Sequence, residues 1–433
     1  MRQFLVPAAL VAGLVVAGPV AGQEPEPQVT LDEAVELALR ASPVVAQRQG
    51  AIRTSESAER TAFGAYLPQL SASAGGSLAS GRDRFDPNTG ITVSGSSNDS
   101  YSAGLSASMD LFTAGRRGAQ SRQARAATSE AEAQLVEQQF AITLAAKQAF
   151  FAVLRADEVI RVSEQRIDRA RQGLSAAEER LRVGSATRSD SLRSQLELTQ
   201  ARQALLQAQT DREAAAFALG AMIGRDGPVG ARLESDLEPT PLALTREQLI
   251  ELAVQQSPTV VSAEATIDAN SAALRVARTQ YFPSLRASGG YDWSNDAAAF
   301  TGGNTSWTTR VSLSYNLFNG FAREETNERA EVNLLVARLQ AEDARRQVRT
   351  DLERAIGALE LGEQQVALSR EALSMAIEDL RVVEARYQLG ASTILDQITS
   401  QVAVAEAELA LINARYDYQV ARATLEALVG RAL

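Results

Sequence analysis

The sequence predicts a mixed α/β membrane protein written twice over, in which each copy contributes two membrane-type strands and a very long helical hairpin. Three observations predict it. Landmark residues recur at two successive offsets, 215 and then 206, four segments alternate apolar and polar residues with period two, and two proline-free stretches are long enough for helices of about 100 Å.

Composition narrows the function. The 433 residues are 45% hydrophobic and only 5% aromatic, a mix that favours extended helices over a bulky core. Lys+Arg number 43 against 53 Asp+Glu, a formal charge of −10, and no basic stripe argues for nucleic acid. There is no cysteine and no histidine. Disulfides, thiolate chemistry, an N-terminal lipid on cysteine and the commonest general base and metal ligand are therefore excluded. No catalytic, cofactor or metal site is expected. Residues 224–230 lack the Gly-Lys-Ser/Thr ending of a phosphate loop.

Residues 1–22 read as a secretory signal peptide: Arg2, an apolar run over 4–17, and small residues before Gln23. Beyond it no apolar run is long enough for a spanning helix, so any membrane segment must be a strand.

The repeat is read from its landmarks. Ser42-Pro43 answers Ser257-Pro258, and Tyr66-Leu67-Pro68 answers Tyr281-Phe282-Pro283, both at an offset of 215. Asp110-Leu111-Phe112 answers Asn316-Leu317-Phe318 at 206, an offset kept by Gly184 and Gly390, Asp190 and Asp396, and Gly224 and Gly430. The change falls between the strands of each pair, so one loop is shorter in the second copy. The chain thus divides into a first repeat at 23–225, a linker at 226–243 and a second repeat at 244–433. Strand hairpins are expected at 67–111 and 283–317, and helical hairpins at 116–224 and 322–430.

Each copy opens with a short amphipathic helix, at 31–41 and 247–256. Ser-Pro then restarts a helix, with serine as the expected cap and proline in the first turn. Pro68 and Pro283 end those helices. The four strands carry Leu70, Leu105, Tyr291 and Val311 on one face and serines on the other. Tyr101, Trp293 and Trp307 stand at their loop-side ends, and Phe112, Tyr315 and Phe318 at the opposite ends, as the two interfaces of a bilayer favour. Four strands cannot close a barrel, and open edges have no place in lipid, so insertion demands several copies. Three copies giving twelve strands is the natural closure; two giving eight also satisfies the argument. In the second long helix Leu352, Leu359, Val366, Leu373, Leu380 and Tyr387 recur every seven residues, a coiled-coil seam. Gly184 and Gly390 end the long helices, and Thr187…Asp190 and Thr393…Asp396 have the spacing of capping boxes that start return helices.

In this order of elements the chain resembles the TolC family of outer-membrane efflux proteins over essentially its whole mature length. The resemblance implies a homotrimer whose twelve strands form one barrel in outer-membrane lipid, continued by an antiparallel α-helical tunnel across the periplasm. It implies an exit duct of a tripartite efflux pump or type I secretion system, working with a periplasmic adaptor (membrane fusion) protein and an inner-membrane transporter. By the same resemblance the adaptor docks at the hairpin tips, Val183, Gly184, Ser185 and Thr187, and Leu389, Gly390, Ala391 and Thr393. Asp396, Asp190 and Tyr387 match members of the pore gate. Thr399 stands where a second acidic ring is expected, and Ser392 where the family has an arginine; Arg188 or Arg386 would have to substitute. The competing reading is a non-inserting structural or adhesive coiled-coil protein of the periplasm.

Overall fold

A computed structural model describes residues 26–79, 84–88, 90–93, 98–233, 237–240, 242, 244–297, 299 and 301–433. The expected signal peptide at 1–22 lies outside them.

The first half runs β1 (Gln28–Val29), α1 (Leu31–Ala41), α2 (Pro43–Gly64), β2 (Gln69–Ala79), a small pair β3 (Arg84–Asp86) and β4 (Ile91–Val93), β5 (Asn98–Phe112), α3 (Arg116–Arg182) and α4 (Arg188–Met222). After β6 (Gly230–Ala231) come α5 (Arg246–Gln256), α6 (Pro258–Arg278), β7 (Ser284–Asn295), β8 (Asn304–Ser314), α7 (Ala322–Gln388) and α8 (Ile394–Val429). The second half thus repeats the order of the first: short helix, helix, two strands, long helix, return helix.

Local chemistry explains most boundaries. Thr30 and Thr245 cap α1 and α5 through reciprocal capping boxes with Glu33 and Gln248. Ser42 accepts a bond from the Val45 N–H at the start of α2. Ser257 was expected to do the same for α6 and makes no such bond; it is buried at that helix junction, at 1% exposure. The helix before Pro283 stops at Arg278, short of Tyr281, and finishes as a 3₁₀ turn at Thr279–Tyr281.

The long helices, 67 residues each, span about 100 Å. Such helices are stable only against neighbours, and they find them near their midpoints. Phe150, Phe151 and Val153 of α3 pack with Ala34 and Ala38 of α1, Leu219 of α4, Val229 and Ala231 beside β6, and Ile412 and Tyr416 of α8. Leu352, Leu359 and Val366 of α7 pack with Leu249 of α5, Val260 of α6, and Tyr418 and Leu425 of α8. The seam therefore buries Leu352, Leu359, Val366 and Tyr387, while Leu373 and Leu380 are half-buried.

The stretch at 226–243 is more than a linker. Its β6 pairs in parallel with β1, Gln28 opposite Gly230 and Val29 opposite Ala231. Gly220 of α4 lets this segment close in: a Cβ there would stand 2.0 Å from the Gly227 carbonyl. Glu238 bridges Arg370 of α7 at 2.5 Å and Arg415 of α8 at 3.0 Å, and the Arg370 bond holds its carboxyl below the usual glutamate range.

Among the described residues no helix is long and apolar enough to cross a membrane.

Candidate membrane sheet and tunnel tip

The strands form one antiparallel sheet in the order β2-β5-β7-β8, so strands from the two halves meet at β5 and β7. Residues directly opposite share a face. Leu70 pairs with Ala107, Leu105 with Tyr291, Tyr291 with Trp307, and Leu285 with Leu313, which makes one face apolar. The other joins Ser71 to Ser106, Asp110 to Arg286, and Ser288 to Arg310. Ser71 and Ser106 hydroxyls lie 2.6 Å apart, and Asp110 takes Arg286 and Arg116, each at 3.2 Å. The two outer strands, β2 and β8, are exposed at every position on both faces, with Leu70 79% and Leu313 69% exposed. Both outer strands, β2 and β8, present an unpaired edge.

The aromatics fall at both ends. Trp293 lies on the apolar face between Ala103 and Thr305 and donates its indole N–H to the Gly302 carbonyl at 3.0 Å. Tyr101 is half-buried beside it, and Trp307 is exposed. Tyr291, placed on the apolar face by its alternation, stands directly opposite Trp307 and joins the same band. At the helix-side end, the register shifts between Asp110 and Phe112. This bulge sets Phe112, rather than Leu111 as strict alternation implies, opposite Leu285 on the apolar face. β8 ends at Ser314, so Tyr315 and Phe318 lie past the strand, both exposed, with Phe318 edge-on to Phe321 at 5.4 Å. Phe63 and Phe282 are exposed too and were not foreseen. From sheet to helix the chain turns through pairs of left-handed residues, Ala114-Gly115 and Gly320-Phe321. Non-glycine residues rarely adopt that conformation, so both turns hold local strain.

The far ends of the long helices are built alike. Gly184 (φ 78°) and Gly390 (φ 75°) supply the left-handed residue. The Ser185 and Ala391 N–H groups then bond back to the Arg180 and Arg386 carbonyls at 2.9 and 2.8 Å, the closing bond of a helix C-terminus. Thr187 donates its N–H and hydroxyl to Asp190 Oδ2 at 2.9 and 2.8 Å. Thr393 does so to Asp396 Oδ2, both at 2.8 Å, and Ser392 adds a third donor at 3.0 Å. The threonine N–H bonds, first of all, hold both carboxyls below the ordinary aspartate range. Each tip leaves one large apolar residue open among polar neighbours, Val183 at 74% and Leu389 at 85% exposure.

Asp190 and Tyr387 are not brought into contact. Tyr387, buried, lies instead beneath Arg180 of α3, whose guanidinium carbon stands 3.9 Å from the ring centroid. The arginine expected before Asp396 is replaced in contact by Ser392. Arg386 donates to the Ala391 carbonyl at 3.4 Å and adds a weaker favourable charge to Asp396.

Against known proteins, the family model described as Outer membrane efflux protein matches residues 34–225 and again 249–431. The chain belongs to the outer membrane efflux protein family. It is 27% identical over 407 residues to the pyoverdine export outer membrane protein OpmQ of Pseudomonas aeruginosa, covering 92% of this chain and 83% of that one. To the outer membrane protein TolC of Vibrio cholerae it is 26% identical over 408 residues, 89% and 86% of the two chains. The crystal structure of CusC superposes with a TM-score of 0.81 at 18% identity, covering 100% of this chain and 99% of that one. The chain is thus an efflux channel of the outer membrane whose helices extend into the periplasm, with the fold of channel proteins. The alternative of a non-inserting periplasmic protein finds no support. Among the described residues no group of three or more Asp or Glu side chains is placed to hold a metal ion.

Proposed function

We propose that three copies join β8 of one to β2 of the next, closing a twelve-stranded barrel in outer-membrane lipid above a tunnel of twelve helices. The observation that carries this reading is a four-stranded sheet with one apolar face, aromatic bands and two bare edges. Four antiparallel strands leave edges running in opposite directions, so identical copies continue the ladder antiparallel at every seam. Bare edges have no tolerable state in hydrocarbon until that happens. The repeated order of elements supports descent from a tandem duplication, which lets one protomer supply two strand pairs and two helical hairpins.

The tips receive a periplasmic adaptor protein, which links the duct to an energised inner-membrane transporter. Open apolar residues beside fixed glycine turns support this: Val183, Gly184, Ser185 and Thr187 in one tip, Leu389, Gly390, Ala391 and Thr393 in the other. The pore narrows at the same level, with Asp396 as an acidic ring and Tyr387, under Arg180, as part of the closure. Asp190 serves its own helix cap before any gate.

Aspartate in place of Gly184 or Gly390 meets a backbone that favours glycine and puts charge in the docking surface. Export of an efflux substrate should be lost while heat-modifiable trimers remain in the outer-membrane fraction. Normal export by both variants would reject the docking assignment.

A further inference from the structure

The serine-rich face of the sheet carries four charged residues, of which Asp110 and Arg286 are paired. Asp110 holds Arg286 and also Arg116 from α3. Asp292 lies over Gly104, where its Oδ1 would be 2.6 Å from a Cβ, so the glycine makes room for the carboxylate. Arg310 of β8 is different. It is exposed, stands directly opposite Ser288, and has Thr308 and Ser312 as its same-face neighbours along the strand. No described residue offers it a hydrogen bond or an ion pair. Asp292, opposite Ser306, lies four positions along, about 13 Å at strand rise.

Arg310 sits on an edge strand, so closure of the barrel could in principle supply its counter-ion. The chemistry of β2 forbids this. On the face that would adjoin Arg310, β2 carries Gln69, Ser71, Ser73, Gly75 and Ser77, with no carboxylate at any register. From these facts we infer that Arg310 forms, in the closed barrel, a ring of three unpaired guanidinium groups among hydroxyls, a lumenal binding site for phosphate- or carboxylate-bearing solutes in transit. Guanidinium with flanking hydroxyls is the donor set such oxyanions favour. The site would act within the barrel, separately from the acidic tip, and would bias passage toward anionic cargo. The inference rests on the trimeric-barrel reading above.

Single-channel recording in planar bilayers separates the two. Tripolyphosphate added on the barrel side should reduce wild-type current. Three charges about 10 Å from the axis change an anion's affinity on the order of tenfold at low salt, so the half-blocking concentration should rise about that much in Arg310→Gln. Arg310→Lys should keep the block. Arg310→Glu should lose it and gain block by spermine. Arg310→Thr, matching the surrounding hydroxyls, provides a second neutral variant. Conducting Arg310→Gln or Arg310→Thr channels with unchanged block would overturn this inference alone, as would loss of block in Arg310→Lys. Absence of conductance from both the wild-type protein and its tip-opened Tyr387→Leu variant would remove the barrel reading and this inference with it.

Discussion

The midpoints and the far ends of the long helices, an equator and a tip, are made from the same four helices, α3, α4, α7 and α8, yet they are packed on different principles. At the equator large side chains interlock: Phe150 meets Phe151 edge-on at 5.8 Å, and Phe151 lies 6.3 Å from Tyr416. Charges tie the layers from outside, with Lys147 to Glu426 at 2.5 Å, Arg155 to Asp417 at 2.5 Å, and Arg212 to both Glu26 and Asp157. Toward the tip Ile167, Leu198, Ile394 and Tyr387 share the interior with small residues, Ala170, Gly173, Ala177 and Ala201, and with polar groups, Ser194, Glu197, Gln397, Ser400 and Gln401. The small and polar members bury little apolar area, which makes local rearrangement cheaper there than at the equator. A gate belongs where packing is weak, and the helices are anchored where it is strong.

That contrast can be broken most forcefully at the equator. Phe150→Ala should cost about 3–5 kcal/mol, because the ring is 1% exposed and the surrounding helices are fixed. Denaturant unfolding of the detergent-purified protein reads it, and a loss below about 1 kcal/mol would deny the equator its role as anchor.

At the tip the expected energies are smaller and the functional effect larger. Tyr387→Leu removes the Arg180 contact, worth about 1 kcal/mol, and should raise resting conductance with little change in trimer stability. Tyr387→Phe keeps the ring face and should leave conductance near wild type. If Tyr387→Phe opens the channel as far as Tyr387→Leu, the closure depends on the phenol oxygen and the stacked arginine is incidental.

The finest effects concern Asp396. Asp396→Ala should weaken block of single-channel current by multivalent cations, since three carboxylates would be removed from one ring; unchanged block would set the constriction elsewhere. Its pH dependence has a definite sign. The carboxyl is held below the ordinary aspartate value by Thr393 and Ser392, so the cap is fully formed above that value and is lost only as pH falls through the lowered folded value. Hydrogen exchange at Thr393 and Asp396 amides should therefore be insensitive to this group from neutrality down to mild acid. Tip loosening already at pH 6 would contradict the cap.

Much of this was legible in the residues, for identifiable reasons. The long helices could be read because no proline interrupts them and the heptad from Leu352 to Tyr387 never slips. The tips could be read because Gly184, Gly390 and the Thr-x-x-Asp spacings are local chemistry. Other features have no local signature. A one-residue bulge at Asp110–Phe112 leaves alternation intact on either side. Tyr315 and Leu317 extend the alternating pattern past Ser314, although the chain there is already turning toward Gly320 and Phe321. Two-residue strands such as β1 and β6 carry no period at all. The stacking of Arg180 on Tyr387 joins residues far apart in the chain, and Ser257 looks like a cap until its burial is seen.

The joining of sheet edges between copies is tested most directly by disulfide trapping, which the absence of native cysteine makes clean. Pairs such as Ala72→Cys in β2 with Val311→Cys in β8, scanned over neighbouring lipid-face positions, lie on opposite edges of one sheet, three strand spacings or about 14 Å apart across the strands and further where the rows differ. That separation is beyond the reach of a disulfide within one chain. Mild oxidation of intact cells should yield covalent dimers and trimers, with nothing larger, for at least one register. A ladder ending at dimers, or monomers alone at every register, would contradict a barrel closed by three copies.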